Sequence, residues 1–86
     1  MIYNWYQLFD LSDFEAEGLV SKTLDVELEG LGRQEILITK GNTVAISYDD
    51  AFLPVNFLEM NPYENNGYAV YLDSNDKVHL GIPADE

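Results

Sequence analysis

The chain has 86 residues, 47% of them hydrophobic, which is enough to bury one hydrophobic core and too short for two ordinary domains. Sixteen acidic residues against four basic ones give a net charge of −12, which excludes a conventional phosphate-binding surface and therefore direct nucleic-acid binding. Cysteine is absent, which excludes disulfides, thiolate catalysis and cysteine-ligated metals. We expect residues 1–86 to form a single domain.

The N-terminus carries no signal-peptide pattern. Residues 1–9 contain no Lys or Arg and lead directly into acidic residues. No uncharged stretch approaches the ~20 residues that a membrane helix requires. We therefore expect a soluble, cytoplasmic protein that has no membrane partner and no cofactor.

The first elements in the chain are a strand and a short helix. Residues 2–9 are rich in aromatics and predict a strand, although their apolar residues do not alternate strictly and a helix is the alternative. Ser12 and Glu15 have the spacing of a capping box, and Gly18 stands where a helix commonly ends. One helical turn is predicted over residues 13–17.

The next two predicted hairpins follow from alternation. Residues 22–29 alternate apolar and acidic side chains with period two, and the chain returns through residues 35–39. A three-residue loop over residues 40–42 then leads into residues 43–48. This loop pairs Ile38 with Val44 and Ile36 with Ile46, which gathers the large apolar side chains on one face.

The remaining chain contains an apolar segment and a third hairpin. The apolar residues of the segment predict an irregular cap over an open end of the sheet: Phe52, Leu53, Val55, Phe57, Leu58 and Met60. Residues 68–72 and 78–82 predict a hairpin around a turn at residues 73–77. The sequence thus predicts an α+β fold, mostly antiparallel β, with five or six strands in a small twisted sheet or SH3-like barrel and one short helical turn.

His79 is the only imidazole in the chain, and the predicted turn places Asp73 and Asp76 near it. A histidine beside a carboxylate can act as a general base. No serine has the strand-to-helix glycine context that exposes a nucleophile. The sequence therefore favours a half-exposed histidine stacked on the cross-strand Tyr71, and we expect the protein not to be an enzyme.

The turn at residues 73–76 begins like a calcium loop, with oxygen ligands at its first and third places. Val78 then occupies the sixth place, where glycine is needed, and Ala84 the twelfth, where a bidentate glutamate belongs. We therefore predict an Asx-rich hairpin turn and no metal site.

The acidic face of the first hairpin is the main candidate for partner binding. Asp25, Glu27 and Glu29 project from one side of a strand with carboxylates ~6.7 Å apart, and Glu35 is expected across the turn near Glu29. Like charges that face each other across a sheet are destabilising, so stability alone does not call for this cluster. The ~6.7 Å period is close to two base steps of one DNA strand, ~6.8 Å. The alternative is that these charges only maintain solubility and block edge pairing.

Aromatic residues form a second candidate surface. Six tyrosines and one tryptophan are more than a small core readily encloses, so some of them must be partly exposed. Tyrosine and tryptophan beside a charged rim are common anchors of protein interfaces. Tyr71 and His79, on the outer face of the third hairpin, are the candidate aromatic interface.

In size and charge the chain resembles small acidic accessory proteins of phages and mobile elements, including DNA-mimic inhibitors of restriction and CRISPR systems. This resemblance implies an inhibitor that binds a basic nucleic-acid-handling protein and occludes its groove. Two alternatives stay open: a structural or assembly subunit of a phage or multiprotein complex, and an immunity or antitoxin protein that neutralises a basic toxin. The sequence does not determine the oligomeric state.

Overall fold

A computed structural model describes residues 2–18, 20–28, 30, 32–41, 43–55 and 63–84 of the chain. These residues form eight strands and one helix, in the order β1 (Tyr3–Asp10), α1 (Leu11–Ala16), β2 (Ser21–Leu28), β3 (Gly32–Lys40), β4 (Val44–Tyr48), β5 (Ala51–Pro54), β6 (Tyr63–Asn65), β7 (Tyr68–Leu72) and β8 (Lys77–Pro83). Every strand pair is antiparallel, in two four-stranded sheets ordered β1-β8-β7-β6 and β2-β3-β4-β5. The prediction of a mostly antiparallel β fold with one short helix is confirmed, but eight strands replace the expected five or six.

One additional strand lies in the segment that was expected to be irregular. Asp49 and Asp50 both adopt positive φ angles, 48° and 65°, and form a two-residue loop of the kind that closes tight hairpins. Beyond the loop, Phe52 is exposed whereas Leu53 and Val55 are fully buried, which is the alternation of a strand. The irregular-cap prediction is therefore wrong for residues 52–54, which lie in β5, while Val55 directly follows the strand and residues 57, 58 and 60 lie outside the described part of the chain.

The N-terminal strand is confirmed, and a bulge explains its imperfect alternation. Gln7 lies opposite His79 and Phe9 opposite Val78, so Leu8 is an extra residue on β1. The helix begins two residues earlier than predicted, because the Asp10 side chain, and not Ser12, caps it. Both the backbone N–H and the hydroxyl of Ser12 donate to Asp10 Oδ1.

The first hairpin has the predicted alternation, but the register of the second differs. Ile38 pairs with Ile46 and Lys40 with Val44, so the three-residue loop begins at Gly41 and not at Lys40. A shift of two residues keeps every side chain on its original face, so the hydrophobic pattern cannot distinguish the two registers. The predicted pairing of Ile38 with Val44 is wrong, whereas the facing of both residues toward the core is confirmed.

The third hairpin has the register that the sequence predicts. Val70 pairs with Leu80 and Leu72 with Val78, and Tyr71 lies directly opposite His79 on the other face. The backbone N–H of Asp73 donates to the carbonyl of Lys77 and closes the turn.

One hydrophobic core lies between the two sheets and α1. Its buried members come from both sheets and from the helix: Leu11, Phe14, Ile36, Ile38, Val44, Ile46, Ala51, Leu53, Val55, Val70, Val78 and Leu80. No polar or charged side chain among the described residues is fully buried. The two sheets therefore depend on each other to cover their apolar faces.

Two polar contacts join the sheets along the β5 and β6 edges. Asn65 Nδ2 donates to the carbonyl of Phe52 at 2.8 Å, and the Tyr68 hydroxyl donates to Asp49 Oδ2 at 2.6 Å. The second hydrogen bond, with burial, raises the pKa of Tyr68 to about 12. The two sheets do not close into one barrel. The SH3-like barrel therefore stays a prediction.

We expect Ile46→Ala to lower the free energy of unfolding by about 2–5 kcal/mol, because this fully buried side chain would leave a cavity between the sheets. Phe52→Ala in the neighbouring strand is the matched control, since its side chain is 52% exposed on the outer face. Urea denaturation measures both variants. Equal losses would contradict the assignment of inner and outer faces.

Candidate functional site

The acidic hairpin face consists of Asp25, Glu27 and Glu35 on the outer surface of β2 and β3. All three side chains are exposed, because alternation along both strands turns Leu24, Val26 and Ile36 toward the core. The fourth predicted member, Glu29, lies outside the described residues. The structure thus brings three of the four predicted carboxylates to one surface.

The register changes two details of that surface. Glu35 was expected near Glu29, but it lies directly opposite Asp25, and Arg33 lies opposite Glu27. Arg33 Nη2 is 3.9 Å from Asp25 Oδ2, and both side chains are at least half exposed, so this ion pair contributes little stability. The face therefore contains one directly opposed carboxylate pair and a single cation.

The other cationic side chains are also paired with carboxylates. The remaining pairs join α1 or one of its cap residues to nearby strands: Lys22 with Glu17, Lys40 with Glu15, and Lys77 with Asp10. All four basic residues of the chain thus have an acidic partner. Whether the protein binds nucleic acid directly stays a prediction.

The pair formed by Asp10 and Lys77 links the start of α1 to β8. Hydrogen bonds from Lys77 and Ser12 lower the pKa of Asp10 to about 2. The same pair raises the pKa of Lys77. The Asp10 carboxylate thus both caps α1 and binds Lys77 at the start of β8.

The aromatic face consists of Tyr3, Trp5, Tyr71 and His79 on the outer surface of the first sheet. Tyr71 and His79 stack nearly parallel, with ring centroids 4.6 Å apart. Trp5 meets Tyr71 edge to face at 4.9 Å, and Tyr3 is 5.3 Å from Trp5. The sequence had identified Tyr71 and His79 but not the two residues that extend this cluster across β1, because the register of β1 against β8 was unknown.

Gly81 explains how Trp5 lies on the sheet. The two residues are opposite each other, and a Cβ atom at position 81 would come within 2.7 Å of Trp5 Cζ3. The indole ring therefore covers the glycine backbone, while 39% of Trp5 remains exposed. Burial and the carboxylate of Glu64 together raise the pKa of Tyr3 at the rim of the same face.

Asp73 holds His79 at the end of the aromatic face. Asp73 Oδ2 lies 2.7 Å from His79 Nε2, and Oδ1 accepts the backbone N–H groups of Asn75 and Lys77. The hydrogen bond with His79, together with these backbone donors, lowers the pKa of Asp73. The carboxylate shapes the turn as predicted, and within the described ranges no three His, Asp or Glu side chains gather as a metal site requires.

A cavity of about 260 Å³ opens between α1 and the strands next to it. Phe9, Phe14, Leu24 and Ile38 form its apolar floor, and His79 does not line it. Its polar rim includes Asp10, which is already paired with Lys77. The cavity and the histidine therefore do not combine into one reactive site.

No known protein family, no curated protein and no solved structure matches this chain significantly. Within the described residues, no helix has the length and apolar character needed to cross a membrane. The two outer faces are therefore the surfaces from which a function can be inferred.

We expect Gly81→Ala to displace Trp5, because the added methyl group would overlap the indole ring. Trp5 is the only tryptophan, so the emission spectrum and acrylamide quenching report on it directly. Gly41→Ala is the control, since a Cβ atom there meets nothing within 4 Å. Unchanged emission and quenching in Gly81→Ala would show that Trp5 does not rest on the glycine.

We expect Asp10→Asn to flatten the acid dependence of stability. The pKa of Asp10 in the folded protein lies below its ordinary value of 3.8, so its charge stabilises the fold above that pH. This contribution is lost as the pH falls from about 4 to about 2. Asparagine remains a good helix cap, so the variant removes mainly the charge.

Urea midpoints measured across this pH range test the expectation. Asp50→Asn, at an exposed turn position, is the control, and its stability should fall with acid as that of the wild type does. An Asp10→Asn variant whose stability falls as steeply with acid as the wild type would contradict the role assigned to the Asp10 charge.

Proposed function

We propose that this protein is a non-enzymatic, acidic binding protein that inhibits a basic nucleic-acid-handling protein by occluding its groove. The single observation that carries the proposal is the exposed, directly opposed pair Asp25 and Glu35, extended by Glu27 along the same face. Facing carboxylates destabilise a sheet, so a protein selected for stability alone would place a neutral or basic residue at one of these positions. A cationic partner would relieve this repulsion.

The spacing of the face supports mimicry of a phosphate backbone. Asp25 and Glu27 are two residues apart on one strand, which separates their side chains by ~6.7 Å. Two base steps on one DNA strand span ~6.8 Å. A groove that binds a nucleic-acid strand could therefore accept this row of carboxylates.

Charge also favours rapid association. The net charge of −12 attracts a basic surface over a distance of the order of the Debye length, ~10 Å at 0.1 M salt. Exposed charges of this kind mainly accelerate binding and set its salt dependence. Binding to the proposed partner should weaken as salt is added.

The proposal is tested with the triple variant Asp25→Asn, Glu27→Gln, Glu35→Gln. Wild-type protein immobilised on beads captures its partner from nuclease-treated host extract, and surface plasmon resonance at two salt concentrations then compares the variants. We expect the association rate of the triple variant to fall about tenfold or more, with a shallower salt dependence. Its stability should be unchanged or slightly higher, because the opposed carboxylates are removed.

The matched control carries the same change in net charge at other exposed sites: Asp13→Asn, Asp50→Asn and Asp76→Asn. An equal loss in both triple variants would show that overall charge, and not this face, is responsible. A mobility-shift assay in which wild-type protein fails to displace a DNA duplex from the captured partner would contradict occlusion. Capture of a basic toxin without nucleic-acid affinity would favour the immunity or antitoxin alternative.

The aromatic face favours a second candidate function, that of a structural or assembly subunit. Trp5 is 39% exposed beside Tyr3 and Tyr71, and such clusters frequently anchor contacts between proteins. In that case association should survive high salt and depend on Trp5.

A further inference from the structure

The outer edge of β1 is a row of backbone hydrogen-bonding groups that no strand of the described residues pairs with. β1 ends the first sheet, and its only strand partner among the described residues is β8. The N–H of Ala84 donates to the carbonyl of Ile2, which makes these two residues a hydrogen-bonded pair. Hydrogen-bonded pairs alternate along an antiparallel ladder, so the backbone groups of Tyr3, Trp5 and Gln7 point away from β8.

The other strands at sheet edges carry features that discourage pairing. β2 bears three charged side chains, Lys22, Asp25 and Glu27. β5 has four residues and ends in Pro54, and β6 has only three. β5 and β6 also face each other through the hydrogen bond from Asn65 to Phe52.

The β1 edge has no comparable protection along most of its length. From Tyr3 to Phe9 it carries no charged residue and no proline, in a chain with a net charge of −12. The bulge at Leu8 interrupts it only near the helix, where Phe9 packs against Phe14. Residues 3–7 therefore form a regular, uncharged edge that no described segment covers, which is the usual template for pairing with another strand.

We propose that the β1 edge pairs with the β1 edge of a second copy of this chain and forms a twofold-symmetric dimer. In antiparallel pairing about Trp5, each Tyr3 meets the Gln7 of the other copy and the two Trp5 residues meet each other. Every backbone group that points outward then has a partner, and the two four-stranded sheets become one sheet of eight strands. The aromatic faces of both copies also become continuous.

Charge distinguishes a second copy from the basic partner proposed above. A cationic strand would find no carboxylate between Tyr3 and Phe9 to pair with, whereas a second copy brings no like charges together within the contact. The two copies still repel each other at longer range, because each carries −12. Added salt screens that repulsion, so dimerisation should strengthen with salt, the opposite of binding to a basic protein.

The inference is independent of the proposed function, and the salt dependence separates the two. Sedimentation velocity over a range of concentrations should show a monomer–dimer equilibrium that shifts toward the dimer at high salt. A monomer at every concentration and at both low and high salt would overturn the dimer and would leave the inhibitor proposal standing.

Gln7→Pro tests the edge itself. Proline removes the outward N–H of Gln7 and no hydrogen bond to β8, and proline is tolerated at such positions of an edge strand. We expect Gln7→Pro to be monomeric at concentrations where Gln7→Ala, which retains the N–H, still dimerises. Equal dimerisation of the two variants would overturn the edge pairing.

Hydrogen exchange of the wild-type protein keeps the test valid even where the proline variant does not fold. The amides of Tyr3, Trp5 and Gln7 should exchange more slowly as the protein concentration rises, whereas the exposed turn amide of Asp50 should not change. A dimer in which those three amides exchange as fast as in the monomer would show that the aromatic face, and not the edge, forms the contact.

Discussion

The hydrophobic core between the two sheets is the constraint on which the rest of the structure depends. Ile46 and Leu53 from one sheet and Val78 and Leu80 from the other are fully buried together. Neither sheet could hide its apolar face alone, and no described polar side chain interrupts the core. Successive side chains of a strand point to opposite faces, so the residues that fill this core determine which side chains face outward on both sheets.

The two outer faces differ because different residues alternate with the core positions. On β2 and β3 those residues include three carboxylates, Asp25, Glu27 and Glu35, whose charge repels like charge and attracts cationic groups. On β1, β7 and β8 they are aromatic and stack across the strands over Ala69 and Gly81, which are small and buried. The two associations that we propose for this fold would therefore respond to salt in opposite directions.

Charged contacts hold the edges of the fold, where the core cannot. Asp49 accepts the Tyr68 hydroxyl between the sheets, Asp10 joins the helix to Lys77, and Asp73 organises the last turn. Asp25 and Glu35 instead oppose each other, and Asp25 has only a weak, exposed ion pair with Arg33. The distinction separates carboxylates with a structural role from those that we propose contact a partner.

The sequence by itself determined the antiparallel class, the three alternating hairpins and the stacking of Tyr71 on His79. These features depend on a hydrophobic period of two residues and on turn residues, both of which can be recognised in short segments of the chain. It could not determine the register of Ile38 against Ile46, since a shift of two residues preserves both faces. Only the tertiary structure showed that Glu35 lies opposite Asp25 and that β5 and β6 are strands. It also showed that Asp10 caps the helix and that Trp5 packs on Gly81. Each of these depends on contacts between residues distant in sequence or on competition between neighbouring donors and acceptors, which the pattern of a single strand does not encode.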